Sequence, residues 1–252
     1  MTPPPDLLLT TCPCGCRAPV LVAAAALAAG VTCPTTRRRY ALPAGVPLKV
    51  RFGRKQYAAC TDVRLLRQAW QFASPKPSTR KKRLAALMVA ETCLDWCKNA
   101  AFRRACEVAA EIADAGTTGE NCLALSEQLA PATFFWEQLD PWRLVGLRLL
   151  EADPALDYGP LEATDPLRVA AAVREVLPNP FRPTPVRPEW FTATVVGLAD
   201  AVHARGSYVD LPILADALEE AGCGDWPLLD HLRASISHGR GCWALDVVRG
   251  RV

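Results

Sequence analysis

The feature that most constrains this chain is the helical period that its apolar residues adopt from Arg80 onward. Phe102, Ala105, Cys106, Ala109, Ile112 and Ala113 fall on one face of a helix that Gly116 is placed to end. Before it, Leu84, Leu87, Met88 and Leu94 share the same spacing, and further helices are expected near 119–130, 140–151, 166–177, 189–204, 211–221 and 242–249. Several starts are marked. Asp165 precedes Pro166, Asp210 stands two residues before Pro212, and Asp225 two before Pro227. An Asp side chain accepts hydrogen bonds from the unpaired N–H groups of a first turn, where a proline has no donor to lose. Gly222 is a C-terminal stop for 211–221. Few segments after residue 60 have strand character, so the expected fold class is mainly α, with a small irregular or β ribbon-like module at the N-terminus.

Three regions follow. Residues 1–60 read as a small, basic, cysteine-containing module, with a weak strand at Pro47–Phe52 between Gly and Pro punctuation. Residues 61–176 form a helical region, entered through the hinge-like "SPKPST" at 74–79. Residues 177–252 form a C-terminal helical module after "LPNPFRPTPVRPEW", whose five prolines demand an extended strap. Phe181 and Trp190 are placed to anchor that strap on its own protein, the alternative being a Pro-rich ligand for a partner domain.

Charge is distributed unevenly. Residues 1–90 hold fifteen Lys and Arg against two acids, whereas residues 91–252 hold fourteen against twenty-four. Such a split marks either a basic surface that attracts polyanions or one that packs on its own acidic half. The basic candidates are Arg37, Arg38 and Arg39 before Tyr40, then Arg51, Arg54 and Lys55 interleaved with Phe52 and Tyr57, then the run Arg80, Lys81, Lys82 and Arg83. Cations alternating with aromatics suit phosphate neutralisation and base stacking. The N-terminal "MTPPPDLLLTTC" has no basic start, and the best apolar run, "VLVAAAALAAG", falls well short of the roughly 18–20 residues that span a bilayer. The expectation is therefore a cytoplasmic protein without a membrane partner. Its odd count of eleven cysteines, unevenly spaced, suits reduced thiols better than a disulfide framework.

The segment "AGCGDWPLLDHLRASISHGRGCW" at 221–243 concentrates Cys223, His231, His238 and Cys242. Two thiolates and two imidazoles form a reasonable tetrahedral zinc set, although the spacing matches no standard finger. The alternatives are buried small thiols with helix-capping histidines, or a Cys242 nucleophile with His238 as base and Asp246 a further turn along. Cys93 and Cys97 lie at i, i+4 and read as packing. No P-loop, dinucleotide fingerprint, H-E-x-x-H or G-x-S-x-G is present, which weighs against the common enzyme classes.

Two stretches, "RKKRLAALMVAETCLDWCKNAAFRRACEVAAEIADAG" and "NPFRPTPVRPEWFTATVVGLADAVHARGSYVDLPILADALEEAGCGDWPLLDHLRASISHGRGCWALDVVRG", resemble the corresponding stretches of an uncharacterised paralogous family known chiefly from planctomycetes. They cover a little over 40% of the chain, and the resemblance implies a shared helical fold and no particular activity. The N-terminus is similar to a short zinc-ribbon module in which CPCG is followed, after an Ala/Leu/Gly-rich connector, by a second CPxC. Here the first knuckle is Cys12–Gly15 and the second begins at Cys33-Pro34, but Thr36 stands where the closing cysteine belongs. Cys16 is extra and able to substitute, so the resemblance implies Cys12, Cys14, Cys16 and Cys33 as zinc ligands. Against this, a C-x-C-x-C run places three sulfurs on one ion only with strain, and a ribbon held by packing alone is the alternative. The leading functional expectation is a non-enzymatic macromolecular interaction or adaptor protein, zinc-stabilised, with a protein or nucleic acid partner. The alternatives are a nucleic-acid-binding protein using the basic N-terminal third, and a cysteine- or metal-dependent enzyme using the 223–242 cluster.

Overall fold

In a computed structural model the chain is described over residues 6–14, 16, 18–42, 50–73, 76–95, 97–117, 121–129, 141–156, 158 and 165–251. Among these residues the protein is mainly α, with eleven α-helices and a little antiparallel β-structure near the N-terminus. No helix among them is long and apolar enough to cross a membrane. Part of the expected 47–52 strand, part of the 74–79 hinge, and the ends of the expected 119–130 helix lie outside the described residues.

The chain divides into two compact units, the first comprising Met1–Lys76 with Asn179–Pro183, the second Pro77–Pro178 with Thr184–Val252. In the first, strands β1 (Leu7–Thr11), β2 (Pro19–Ala23) and, after β3 (Val31–Thr32) and β4 (Arg39–Tyr40), β5 (Val50–Phe52) make two small sheets. β1 is central in the order β2-β1-β5, with Leu7 opposite both Ala23 and Phe52. β3 and β4 form a separate ribbon in which Val31 faces Tyr40. Two helices complete the unit, α1 (Arg54–Ala59) and α2 (Val63–Phe72), the latter started by the Asp62 carboxylate accepting from Arg64 N–H. Val63, Leu66 and Trp70 put an apolar stripe on α2, which packs on β2 and is pinned there by Gln68, accepting from Leu21 N–H at 2.7 Å. The Pro-rich strap contributes Phe181, whose ring lies 6.0 Å from Phe52 and 6.3 Å from Tyr57. The buried Tyr57 hydroxyl accepts from Trp70 Nε1 at 2.9 Å.

The second unit is helical: α3 (Thr79–Glu91), α4 (Ala100–Ala115), α5 (Cys122–Leu129), α6 (Pro141–Leu150), α7 (Pro166–Val176), α8 (Ala193–Arg205), α9 (Leu211–Glu220), α10 (Trp226–Arg233) and α11 (Trp243–Val248). Side-chain oxygens of Ser78, Asn99, Asp165, Thr192 and Asp225 accept from first-turn N–H groups, as the local sequence requires. α3 is the central helix. It packs on α4, α6 and α7, and nearly everything from Lys81 to Ala90 is buried. The C-terminal helices build their own core from Val195, Leu211, Leu214, Leu218, Leu229 and Leu245, together with Trp190.

The position of α3 corrects one expectation directly. The run Arg80–Arg83 was expected to offer phosphate contacts, yet Lys81 is 4% and Arg83 5% exposed. Lys81 Nζ lies 2.7 Å from the Asp246 carboxylate and donates to the carbonyls of Val176 and Gly241. Arg83 donates to the carbonyls of Leu149, Glu151 and Ala152, capping the end of α6. Arg80 holds Asp246 at 2.7 Å, and Lys82 holds Asp153 at 2.8 Å. The run serves the protein's own acids and helix ends, because it begins a helix enclosed by three others.

Candidate functional site

Two groups of metal-ligating side chains converge among the described residues, one in each unit. The first is Cys12, Cys14, Cys16 and Cys33. Cys12 follows β1 directly, and its N–H donates to the Ala18 carbonyl at 2.8 Å. Cys33 follows β3, and its N–H donates to the Arg38 carbonyl at 2.8 Å while its own carbonyl accepts from Arg37 N–H at 3.0 Å. That second turn needs a left-handed residue, supplied by Arg37 at φ +58°. Thr36, where a closing cysteine was expected, instead donates its backbone N–H to Cys33 Sγ at 3.3 Å.

The sulfurs lie 3.3 Å (Cys12–Cys14), 3.4 Å (Cys14–Cys33) and 3.7 Å (Cys16–Cys33) apart, and all four cysteines are free. A tetrahedron with metal–sulfur bonds of about 2.3 Å has sulfur–sulfur edges of about 3.8 Å, so a single ion fits this set. The sulfurs of Cys12, Cys14, Cys16 and Cys33 all lie within 4.8 Å of one another. Burial works against ionising Cys33, but the hydroxyl and backbone N–H of Thr36 outweigh it and bring the thiol down to about 5. Burial pushes Cys12 up to about 12. Packed thiols ionise one at a time unless a cation compensates them.

The second group corrects the C-terminal expectation. His231 at the end of α10, His238 in the following loop and Cys242 just before α11 do converge, but their fourth partner is Glu175 on α7. Cys223 is buried elsewhere in the C-terminal core, 3% exposed, with its N–H on the Leu218 carbonyl as part of the stop around Gly222. Glu175 Oε1 is 3.0 Å from His238 Nδ1, Glu175 Oε2 is 3.2 Å from His231 Nε2, and Cys242 Sγ is 3.4 Å from His231 Nε2 and 4.0 Å from His238 Nδ1. The Trp243 ring covers His231 at 4.8 Å. Burial would raise the Glu175 carboxyl, but the two imidazoles hold it down at about 2; burial and the Glu175 charge push the Cys242 thiol well above its ordinary range. With Cys242 at 0% exposure, this is a poor place for a nucleophile that must meet substrate.

Glu175 escaped the sequence reading because it sits 56 positions before His231, in a helix whose charges look solvent-facing. Its one signal is register: it falls three residues after Ala172 and beside Val176, on the buried side of α7.

The remaining basic candidates lie in the first unit. Arg37, Arg38, Arg39, Arg54 and Lys55 are exposed, and Arg51 is paired with Asp6. A cavity of about 330 Å³ opens beside Cys33, lined among others by Arg37, Arg39, Arg67, Gln68 and Gln71; no acidic residue is among its described lining. Fold and sites together define a mainly α protein with a small β-ribbon unit whose four converging thiols can hold a metal ion. No family model, no curated protein and no solved structure matches the chain.

Proposed function

We propose that the protein is a non-enzymatic macromolecule-binding protein whose N-terminal unit is stapled by zinc on Cys12, Cys14, Cys16 and Cys33 and grips the phosphates of a nucleic acid. One observation carries this reading. The same turn, residues 33–39, supplies a thiol to the cluster and two arginines to the cavity. An ion that fixes Cys33 also fixes the direction in which Arg37 and Arg39 project, so metal and partner binding are coupled through six residues of backbone. Four thiolate donors favour zinc among common divalent ions, and a closed four-sulfur set is structural rather than catalytic. The cavity's lining brings three guanidinia together and includes no acidic residue among those described, which suits phosphate oxygens.

Binding of this kind is salt-dependent and weakly sequence-specific. The test is retention on an immobilised single-stranded nucleic acid over a salt series. Joint Arg37→Glu and Arg39→Glu substitution is expected to reduce the slope of log affinity against log salt by roughly 1.4, the loss of two phosphate contacts. Unchanged retention and slope would exclude this surface as the contact.

A further inference from the structure

The hydrogen bonds around the second cluster identify which atoms face its centre. His238 Nε2 lies 3.2 Å from the Ala234 carbonyl oxygen, which can only accept, so Nε2 carries the hydrogen. A neutral His238 then presents its Nδ1 lone pair to Glu175 Oε1, another acceptor, at 3.0 Å. Two acceptors face each other at that distance only with a cation between them, either a proton or a metal ion. A proton there accounts for one contact. It does nothing for the other carboxylate oxygen, because no hydrogen bond of good geometry reaches Glu175 Oε2 although His231 Nε2 stands 3.2 Å away. Cys242 Sγ completes the convergence at 3.4 Å from that same nitrogen.

We propose that Glu175, His231 Nε2, His238 Nδ1 and Cys242 Sγ form a second, closed metal site for a borderline divalent ion of the zinc class. One carboxylate oxygen, two imidazole nitrogens and one thiolate suit such an ion; calcium or magnesium asks for oxygen throughout. The charges also match. One carboxylate and one thiolate neutralise a doubly charged ion, leaving a net-neutral centre where Glu175 is 3% and Cys242 0% exposed. The His238–Ala234 contact is the outer-sphere hydrogen bond that fixes a ligating imidazole in its tautomer. With every donor buried or half-buried there is no open position for water, so the site is structural.

Its place in the fold gives it a task. Glu175 comes from α7, which packs on the central helix α3, whereas the other three ligands come from the C-terminal helices and the loop joining them. An ion held here ties the C-terminal core to the central layer of the same unit. The loop that carries His238 and Cys242 is pressed on α3 closely enough that a Cβ at Gly241 would meet Leu84 at 2.8 Å.

The test uses the full chain, loaded with zinc and desalted, with metal counted by native mass spectrometry and its ligands read by X-ray absorption. Glu175→Gln and Cys242→Ser are each expected to remove one zinc and leave the thiol-cluster zinc in place. A Cys14→Ser, Cys33→Ser variant is expected to keep one zinc with one sulfur at about 2.3 Å and three nitrogen or oxygen neighbours at about 2.0–2.2 Å. Where variants fail to fold, the native chain still decides, since two filled sites average about 2.5 sulfurs per zinc and the thiol cluster alone gives about four. A native shell of four sulfurs, a folded Cys14/Cys33 variant without zinc, or zinc content unmoved by Glu175→Gln would overturn the proposal. One zinc with one sulfur in the native chain would uphold it while removing the thiol-cluster reading.

Discussion

Lys81 and Asp246 show at the scale of single residues how charge is used in this protein. Asp246 meets Arg80 and Lys81 across separations of 166 and 165 positions. The sequence shows four adjacent cations, and four cations normally mean a solvated face. Only the central position of α3 buries Lys81 and Arg83, and that position depends on which helices surround it, which local spacing does not encode. Asp246→Ala leaves the Lys81 ammonium buried without its carboxylate, and a loss of about 3–5 kcal/mol in urea unfolding is expected. Lys81→Met costs less, because Arg80 still pairs with Asp246. Burial alone would raise the Asp246 pKa, but Arg80 and Lys81 hold it below the ordinary carboxylate range. The pair's stabilisation is therefore full above about pH 3.9, the value in the unfolded chain, and is lost as pH falls through the lower folded value. Asp246→Asn, with no carboxyl there to protonate, should show a smaller drop in urea midpoint over that window.

Among the elements, those announced by their own sequence were legible. α4 shows its face from Phe102 to Ala113 and its Gly116 stop; α7 and α10 show an Asp followed by Pro; α9 ends at the Gly222 turn. The strands β3 and β4 are two residues each, too short to display a period of two, and exist through their pairing. α1 was hidden inside the region read as irregular, since six residues without an acidic first turn carry little helical signal. The conformation of the loop before α11 has a tertiary reason. Gly241 has φ +94° and lies against Leu84 Cβ, whereas a Cβ at Gly239 would meet the flexible ends of Met88 and Glu91. Gly241→Ala is therefore expected to lower stability by about 1–3 kcal/mol and to weaken zinc retention by the Glu175 site, with Gly239→Ala milder in both. Thermal unfolding together with zinc release to a chromogenic chelator measures the two effects. Equal and negligible effects would mean that the loop is not held against α3.

For the whole molecule, the mainly α class was legible because helices are local, and all four cysteines of the small unit's cluster were legible, because three lie within five positions and the ribbon-like pattern added Cys33. The second cluster was legible in three of four members. Its fourth, Glu175, and the exclusion of Cys223 follow from how α7 packs, which no spacing between residues 223 and 242 reveals. Each of the two units holds one cluster of ligands among the described residues, and the polyanion reading concerns only the first. Competing chelation of zinc is accordingly expected to reduce nucleic acid retention in parallel with loss of the thiol-cluster ion, and Glu175→Gln is expected to leave that retention unchanged. The most direct measurement is the mass of the folded, zinc-loaded chain by native mass spectrometry. The account expects two zinc ions per chain, falling to one in the Cys14→Ser, Cys33→Ser variant; a folded native chain that carries no zinc would contradict it.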